Sequence, residues 1–176
     1  MKEQNTIPEN SLLESAEIRI DYVDIFSIQL ERNDVQSWEP IVAFFECSPK
    51  WVSVLFEIRN KIVKLLGLKA NLANLEKMNP PFKKGDKFGS FYLYEIDDSE
   101  SLLGEDDFHL NFRMSLKIDK SQILHITTAI EFNNIFGKIY LAIIKPFHKL
   151  IVKRFIKKMA HSIDKKTLTL HREEKI

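Results

Sequence analysis

The side chains best suited to proton transfer in this sequence are a histidine and two carboxylates in its alternating, strand-like segments. His109 and Glu131 lie in two neighbouring segments of this kind, and Asp107 precedes His109 by two residues. A carboxylate beside an imidazole fixes its tautomer and raises its pKa, as general acid–base chemistry requires. The alternative is a polar cross-strand contact that fixes the register of the sheet. We favour a binding protein and assign no catalytic residue. Whether the protein is also an enzyme stays open.

Arg59 is the second candidate, because it lies within an apolar helical stripe. A buried guanidinium needs a carboxylate or several carbonyl groups to offset its desolvation. Asp21 or Asp24 would supply an internal ion pair. Alternatively, Arg59 would anchor the acidic head group of a ligand.

The sequence contains none of the short motifs that bind phosphates, coordinate metals or present a nucleophilic serine. Its single cysteine, Cys47, excludes an internal disulfide and a cysteine-based zinc site. His125 is expected opposite Ser115, about 20 Å along the sheet from His109, so the two histidines would not share a metal ion. We therefore predict no metal and no cofactor.

Two segments with alternating apolar and polar residues must position His109. Apolar side chains occupy every even position of Phe108–Ile118, where the alternation is strict, and every even position of Leu124–Phe132 except Thr128. This pattern predicts two half-buried strands with their even residues facing the core. Opposed residues of an antiparallel hairpin share a face, so even residues must pair with even ones.

A three-residue turn over 119–121 satisfies this parity. It would pair Ile118 with Gln122 and place His109 opposite Glu131. The prediction is therefore a specific register as well as a face.

Other strands are predicted at Tyr22–Leu30, Phe88–Ile96 and Ser101–Glu105. Two short helices should follow the first strand. One begins after Ser37 as N-cap and runs to Cys47, and the other runs from Ser48 to the C-cap Gly67. Residues 68–87 contain proline and glycine turn signals, so we predict a long connection without a strand.

The predicted C-terminal helix carries two apolar stripes, which lie about 140° apart around its axis. The first consists of Phe136, Ile139, Tyr140, Ile143, Phe147, Leu150 and Ile151, and the second of Val152, Phe155, Ile156, Met159 and Ile163. Pro146 removes an amide from the helical hydrogen bonds, so the helix should kink or split there, and we predict a visible bend.

Charge is distributed unevenly along the chain. Residues 138–166 hold nine lysines or arginines and one acid, a net charge of +8, whereas the first 137 residues sum to −7. This pattern is typical of a solvated basic face, but the basic amphipathic helix could also contact an anionic membrane. Its second stripe would otherwise pack on the domain or on a second subunit of a homodimer. Nucleic acid is not expected, because the acidic body repels phosphates.

Length and composition predict one domain. The chain has 176 residues, of which 44% are hydrophobic and 29% charged, as is usual for globular proteins. We place a domain at residues 18–163, between tails at 1–17 and 164–176. The longest apolar run, Ile139–Ile144, is too short to cross a bilayer, and residues 1–15 do not form a signal peptide. We therefore expect a cytoplasmic protein.

The order of one strand, two helices, a run of antiparallel strands and a closing helix resembles the START-like, or birch-pollen-allergen-like, helix-grip fold. The residues resemble more narrowly an uncharacterised bacterial family, domain of unknown function 2867, over about residues 18–160. The similarity rests on Asp21, Tyr22, Asp24, Phe26, Pro49–Trp51, Arg59, Phe88–Gly89, Gly104, His109–Leu110, Asn133, Gly137, Tyr140 and Pro146–His148.

The resemblance implies an α+β domain whose curved antiparallel sheet wraps around a long, kinked C-terminal helix. It also implies a small apolar or amphipathic ligand between the sheet and that helix, with Arg59 or His109 at its polar end. The alternative for each aromatic residue is ordinary core packing. The predicted ligand-binding residues are Trp51, Arg59, Phe91, His109, Phe112, Tyr140 and Phe147.

Overall fold

The computed structural model describes residues 2–4, 6–47 and 80–173. Side chains are described for all of these except residues 2–4, 146, 147, 150 and 166–173. The helix predicted from Ser48 to Gly67, which contains Trp51 and Arg59, lies outside the described residues.

In the described residues, seven strands form one antiparallel sheet in the order β1-β2-β7-β6-β5-β4-β3. The strands are β1 (Lys2–Gln4), β2 (Tyr22–Gln29), β3 (Lys87–Phe88), β4 (Phe91–Ile96), β5 (Glu100–Asp106), β6 (Leu110–Ile118) and β7 (Ile123–Phe132). The predicted strands at residues 22–30 and 101–105 are confirmed within one residue at each end. The sheet also contains β1 and β3, which add to the five strands predicted from the sequence.

The segment predicted as one strand over Phe88–Ile96 is a hairpin. β3 pairs with β4 across a tight turn, in which Gly89 has a φ of 66°. This left-handed conformation is readily adopted by glycine. β3 begins at Lys87, so the prediction that residues 68–87 contain no strand is wrong at its last residue.

The parity predicted for the β6–β7 hairpin is confirmed, but its register is wrong by two residues. Ile118 pairs with Leu124, not with Gln122. The connection is longer because the Asp119 carboxylate accepts hydrogen bonds from the backbone N–H groups of Ser121 and Ile123. Gln122 takes a φ of 58°, which closes this wider turn.

The first helix, α1 (Glu39–Glu46), confirms the predicted helix but not its cap. Trp38 is the N-cap and makes no side-chain capping bond. Ser37 instead donates its hydroxyl to the carbonyl of Asp97, at 2.5 Å. This tertiary contact ties the start of α1 to the β4–β5 turn.

The last helix, α2 (Ile135–Glu173), continues through Pro146 without interruption. The predicted split is therefore wrong, and the bend at Pro146 stays a prediction. The second stripe of α2 lies in the main core, against the even-numbered side chains of β2, β6 and β7. This core contains Phe26, Leu116, Leu124, Ile126, Val152, Phe155, Ile156, Met159 and Ile163. The evenly numbered face therefore turns toward the helix, as predicted.

The N-terminal segment, assigned by the sequence to a tail, covers part of the other face of the sheet. Leu13, in a short 3-10 helix (Leu12–Glu14), is buried against Leu102 and Ala129. Beside it, the odd-numbered Ser115 and Lys117 are buried as well. The prediction of a half-buried β6 is therefore wrong for its central residues, because both faces of the strand are covered.

Candidate functional site

The interface between α2 and the sheet is closed at one end and partly open at the other. The main core fills the closed end, where side chains such as Leu116, Ile156 and Met159 are fully buried. Beneath the first half of α2, a smaller cluster of Leu110, Ile130 and Leu141 is bordered by half-buried side chains. We call this region the open end; its half-buried residues are Tyr22, Phe112, Phe132, Tyr140 and His148.

Asp24 lies at the inner side of the open end and is only 3% exposed. Its Oδ2 atom accepts a hydrogen bond from the hydroxyl of Tyr22 at 2.8 Å and lies 3.3 Å from Nε2 of His148. Within residues 6–47 and 80–173, neither Oδ1 of Asp24 nor Nε2 of His148 has a hydrogen-bond partner. Buried polar atoms are ordinarily satisfied, so this pair is an unusual feature of the interface.

Local structure explains why Asp24 is buried. The residue occupies an even position of β2, opposite Thr128, and therefore points toward α2. His148 reaches it from the helix, from a position 124 residues further along the chain. The sequence analysis considered Asp24 as a partner for Arg59 and did not pair it with His148, because periodicity does not show which helical residue will lie above a given strand position.

The His109–Glu131 pair, considered either for proton transfer or as a cross-strand contact, does not form. The two-residue shift in register places Glu131 opposite Asn111, whose amide donates to it at 2.9 Å. His109 precedes β6 and lies with its Nδ1 atom 3.5 Å from Asp107. Its ring packs edge-on against Tyr140, with the ring centroids 5.0 Å apart.

The structure brings some of the predicted ligand-binding residues together. Phe112 and Tyr140 border the same cluster at the open end. Phe91 packs against Phe112 with a centroid distance of 5.8 Å, and His109 contacts Tyr140. Trp51, Arg59 and the side chain of Phe147 lie outside the described part of the structure.

Gly137 fixes the start of α2 against the loop that carries His109. A Cβ atom at this position would collide with the backbone carbonyl oxygen of His109. The same loop is held by Asn133 and Asn134, whose side-chain amides donate to the carbonyls of Asp107 and Phe108. Close backbone approach therefore sets the position of Tyr140, one turn into the helix.

A second polar cluster lies on the opposite face of the sheet and is fully satisfied. Glu100, which is 0% exposed, accepts hydrogen bonds from the hydroxyls of Ser11 and Ser115 and from the backbone N–H of Leu12. Lys117 donates to the same carboxylate at 3.1 Å and to the carbonyl of Asn10 at 2.6 Å. Every described partner is internal, so this cluster joins the N-terminal segment to the sheet.

His125 also belongs to that face and pairs with Lys117, not with Ser115 as predicted. Its Nδ1 atom is 2.8 Å from the Ser27 hydroxyl, and its Nε2 atom is 3.0 Å from Asp119. Burial acts to raise the pKa of Asp119, but the hydrogen bonds from His125 and from the turn amides outweigh it and lower that pKa below 3.8. Both ring nitrogens of His125 therefore contact partners within the protein, Ser27 and Asp119.

Among the described residues, no group of three or more histidine, cysteine, aspartate or glutamate side chains is arranged to hold a metal ion. In the same part of the chain, no helix has the length and apolar character needed to cross a membrane.

The fold and the interface define the chain as an α+β protein in which an antiparallel sheet packs against a long terminal helix. A family model described as "Protein of unknown function (DUF2867)" matches residues 18–155, and the chain belongs to this family. No curated protein and no solved structure matches this chain.

Proposed function

We propose that the protein is a cytoplasmic, START-like helix-grip domain that binds a small amphipathic molecule at the open end. The apolar part of the ligand would lie against the half-buried side chains that border the cluster of Leu110, Ile130 and Leu141. Its polar end would reach Asp24 and His148. Concave, largely apolar sites with a few polar groups are the usual form of small-molecule sites.

The buried Oδ1 atom of Asp24 carries this proposal. A carboxylate oxygen without a partner in the interior is costly, and a donor from a ligand would remove that cost. The neighbouring Nε2 atom of His148, also without a hydrogen bond in the described residues, would provide a second contact for the same group. A hydroxyl or an N–H group fits this pair.

The pair also argues against an acidic ligand at this position. A second carboxylate or a sulfonate near Asp24 would bring two negative charges together in a partly buried environment, where Coulomb repulsion is stronger than in water. The acidic head group considered for Arg59 would need a different position. The polar end of the ligand is therefore expected to be a hydrogen-bond donor without negative charge.

Two fluorescent probes with the same aromatic framework test this proposal. N-phenyl-1-naphthylamine carries one N–H donor, and 8-anilinonaphthalene-1-sulfonate adds a sulfonate to the same skeleton. The wild-type protein should bind the uncharged amine about tenfold more tightly, which corresponds to about 1.4 kcal/mol. Binding is measured by fluorescence titration of each probe.

The Asp24→Asn variant should reduce this discrimination, because it removes the negative charge and preserves the shape of the side chain. Asp106→Asn is the matched control, since Asp106 is paired with Arg113 on the other face of the sheet. Equal binding of the two probes by the wild type, or discrimination that persists in Asp24→Asn, would contradict the proposal.

A further inference from the structure

The solvent-facing side of α2 changes from apolar to basic along its length. In its first three turns, Ile135, Phe136, Ile139 and Ile143 are each more than half exposed, from 51% to 64%. At 100° per residue these four side chains lie within a sector of about 100°. Further along the same sector, Arg154, Lys157 and His161 are exposed.

This arrangement differs from the expectation drawn from the sequence, in which the second stripe is the part of the helix that would contact a membrane. The second stripe is core, and the exposed Phe136, Ile139 and Ile143 belong to the first stripe. Phe108, which is 59% exposed, lies in the loop held against the start of α2 by Asn134. We call Phe108, Ile135, Phe136, Ile139 and Ile143 the apolar face.

We propose that the apolar face inserts into the surface of an anionic lipid bilayer, with the basic residues of α2 contacting the head groups. Exposed apolar side chains on one sector of a helix, accompanied by lysine and arginine, are typical of helices that lie in the membrane interface. The proposal does not depend on a ligand at the open end.

Charge is the observation that selects lipid as the occupant. Residues 135–163 contain seven lysines and arginines and no aspartate or glutamate. Lys138 and Lys145 are exposed beside the apolar face, and Arg154 and Lys157 continue its sector. Each basic residue near an anionic surface contributes about 1 kcal/mol to membrane attraction, or about a fivefold change in affinity.

A second copy of the chain fits this face less well. A stable dimer usually needs about 800 Å² from each partner, supplied by about 20 residues. Five apolar side chains provide a much smaller surface. A symmetric pairing through them would also bring the flanking lysines of both copies toward one another, and like charges at short distance oppose association.

Co-sedimentation of the full chain with vesicles tests the proposal. The wild type should sediment with vesicles of phosphatidylcholine and phosphatidylserine, and added salt should weaken this binding. Vesicles of phosphatidylcholine alone should bind at least about fivefold less. Failure to sediment with the anionic vesicles at low salt would overturn the proposal.

Matched variants separate the apolar and basic contributions. Phe136→Ser with Ile139→Ser should reduce vesicle binding at least about tenfold, because two large side chains of the apolar face are lost. Tyr92→Ser, at an exposed aromatic residue of β4, should not reduce it. Arg154→Glu with Lys157→Glu should abolish the preference for phosphatidylserine, whereas Lys83→Glu with Lys120→Glu should preserve it.

Light scattering of the same proteins in solution detects the alternative occupant. A wild-type dimer that becomes a monomer on Phe136→Ser with Ile139→Ser would assign the apolar face to a second copy and would overturn the proposal. Equal vesicle binding by the wild type and by the variant with Phe136→Ser and Ile139→Ser would overturn the proposal as well. Loss of probe binding at the open end with vesicle binding intact would affect only the proposed ligand site.

Discussion

Glu100 and Asp24 are buried carboxylates on opposite faces of the same sheet, and their surroundings differ in kind. Glu100 accepts hydrogen bonds from two hydroxyls, one backbone N–H and the Lys117 ammonium group. Asp24 has one hydrogen-bond donor, Tyr22, and an oxygen that no described residue satisfies. We therefore assign Glu100 to stability and Asp24 to the proposed binding site.

Glu100→Gln should destabilise the protein by about 3 kcal/mol, because it leaves the buried Lys117 without its anionic partner. The free energy of unfolding in urea measures the effect. Glu95→Gln, which breaks the exposed ion pair with Lys84, should change stability little. A similar loss in both variants would show that Glu100 does not hold the N-terminal segment in place.

At the scale of elements, alternation predicted which face of each strand meets the helix but not how far the strands are offset. Even residues of β6 and β7 do face α2, because parity depends only on the pleat. The offset depends on Asp119, whose carboxylate accepts hydrogen bonds from two turn amides. A side chain of this kind can lengthen a turn without any change in the strand pattern, so the His109–Glu131 pair was misplaced.

The turn also gives the hairpin a dependence on pH. Hydrogen bonds lower the pKa of Asp119 below 3.8 in the folded protein, so its ionised form stabilises the fold above that pH. This contribution is lost as the pH falls through the folded-state pKa. Asp119→Asn keeps an acceptor for the turn amides but removes the charge beside His125. At neutral pH, the free energy of unfolding of the wild type should exceed that of Asp119→Asn by about 1 kcal/mol.

Urea unfolding at a series of pH values measures this difference. The advantage of the wild type should be constant near neutrality and should shrink as the pH falls below about 4. Asp34→Asn, an exposed carboxylate paired with Arg32, provides the comparison. An advantage that stays the same at low pH would mean that the ionised carboxylate does not stabilise the turn.

At the scale of the whole molecule, the two stripes of α2 were visible in the sequence, but their roles were not. Both are apolar at helical spacing, and periodicity alone does not tell which one meets the sheet. The structure buries Val152, Phe155 and Ile156 and exposes Phe136 and Ile139. The choice depends on how the helix crosses the sheet, which involves residues far apart in the chain.

The covering of the second face was also beyond local pattern. Glu100, Ser115 and Lys117 resemble the solvent side of a sheet when they are considered strand by strand. The residues that satisfy them, such as Ser11, come from a segment with no strong periodicity. The same limit applies to Asp24 and His148, whose contact joins β2 to α2.

A small molecule bound at the open end of the helix–sheet interface should perturb the side chains that surround it. Nuclear magnetic resonance of isoleucine methyl groups, during titration with N-phenyl-1-naphthylamine, detects such binding residue by residue. We predict a saturable shift at Ile130, with Ile41 and Ile156 in the closed core unchanged. Shifts confined to the exposed Ile135, Ile139 and Ile143, or no shifts at any isoleucine, would contradict binding at the open end.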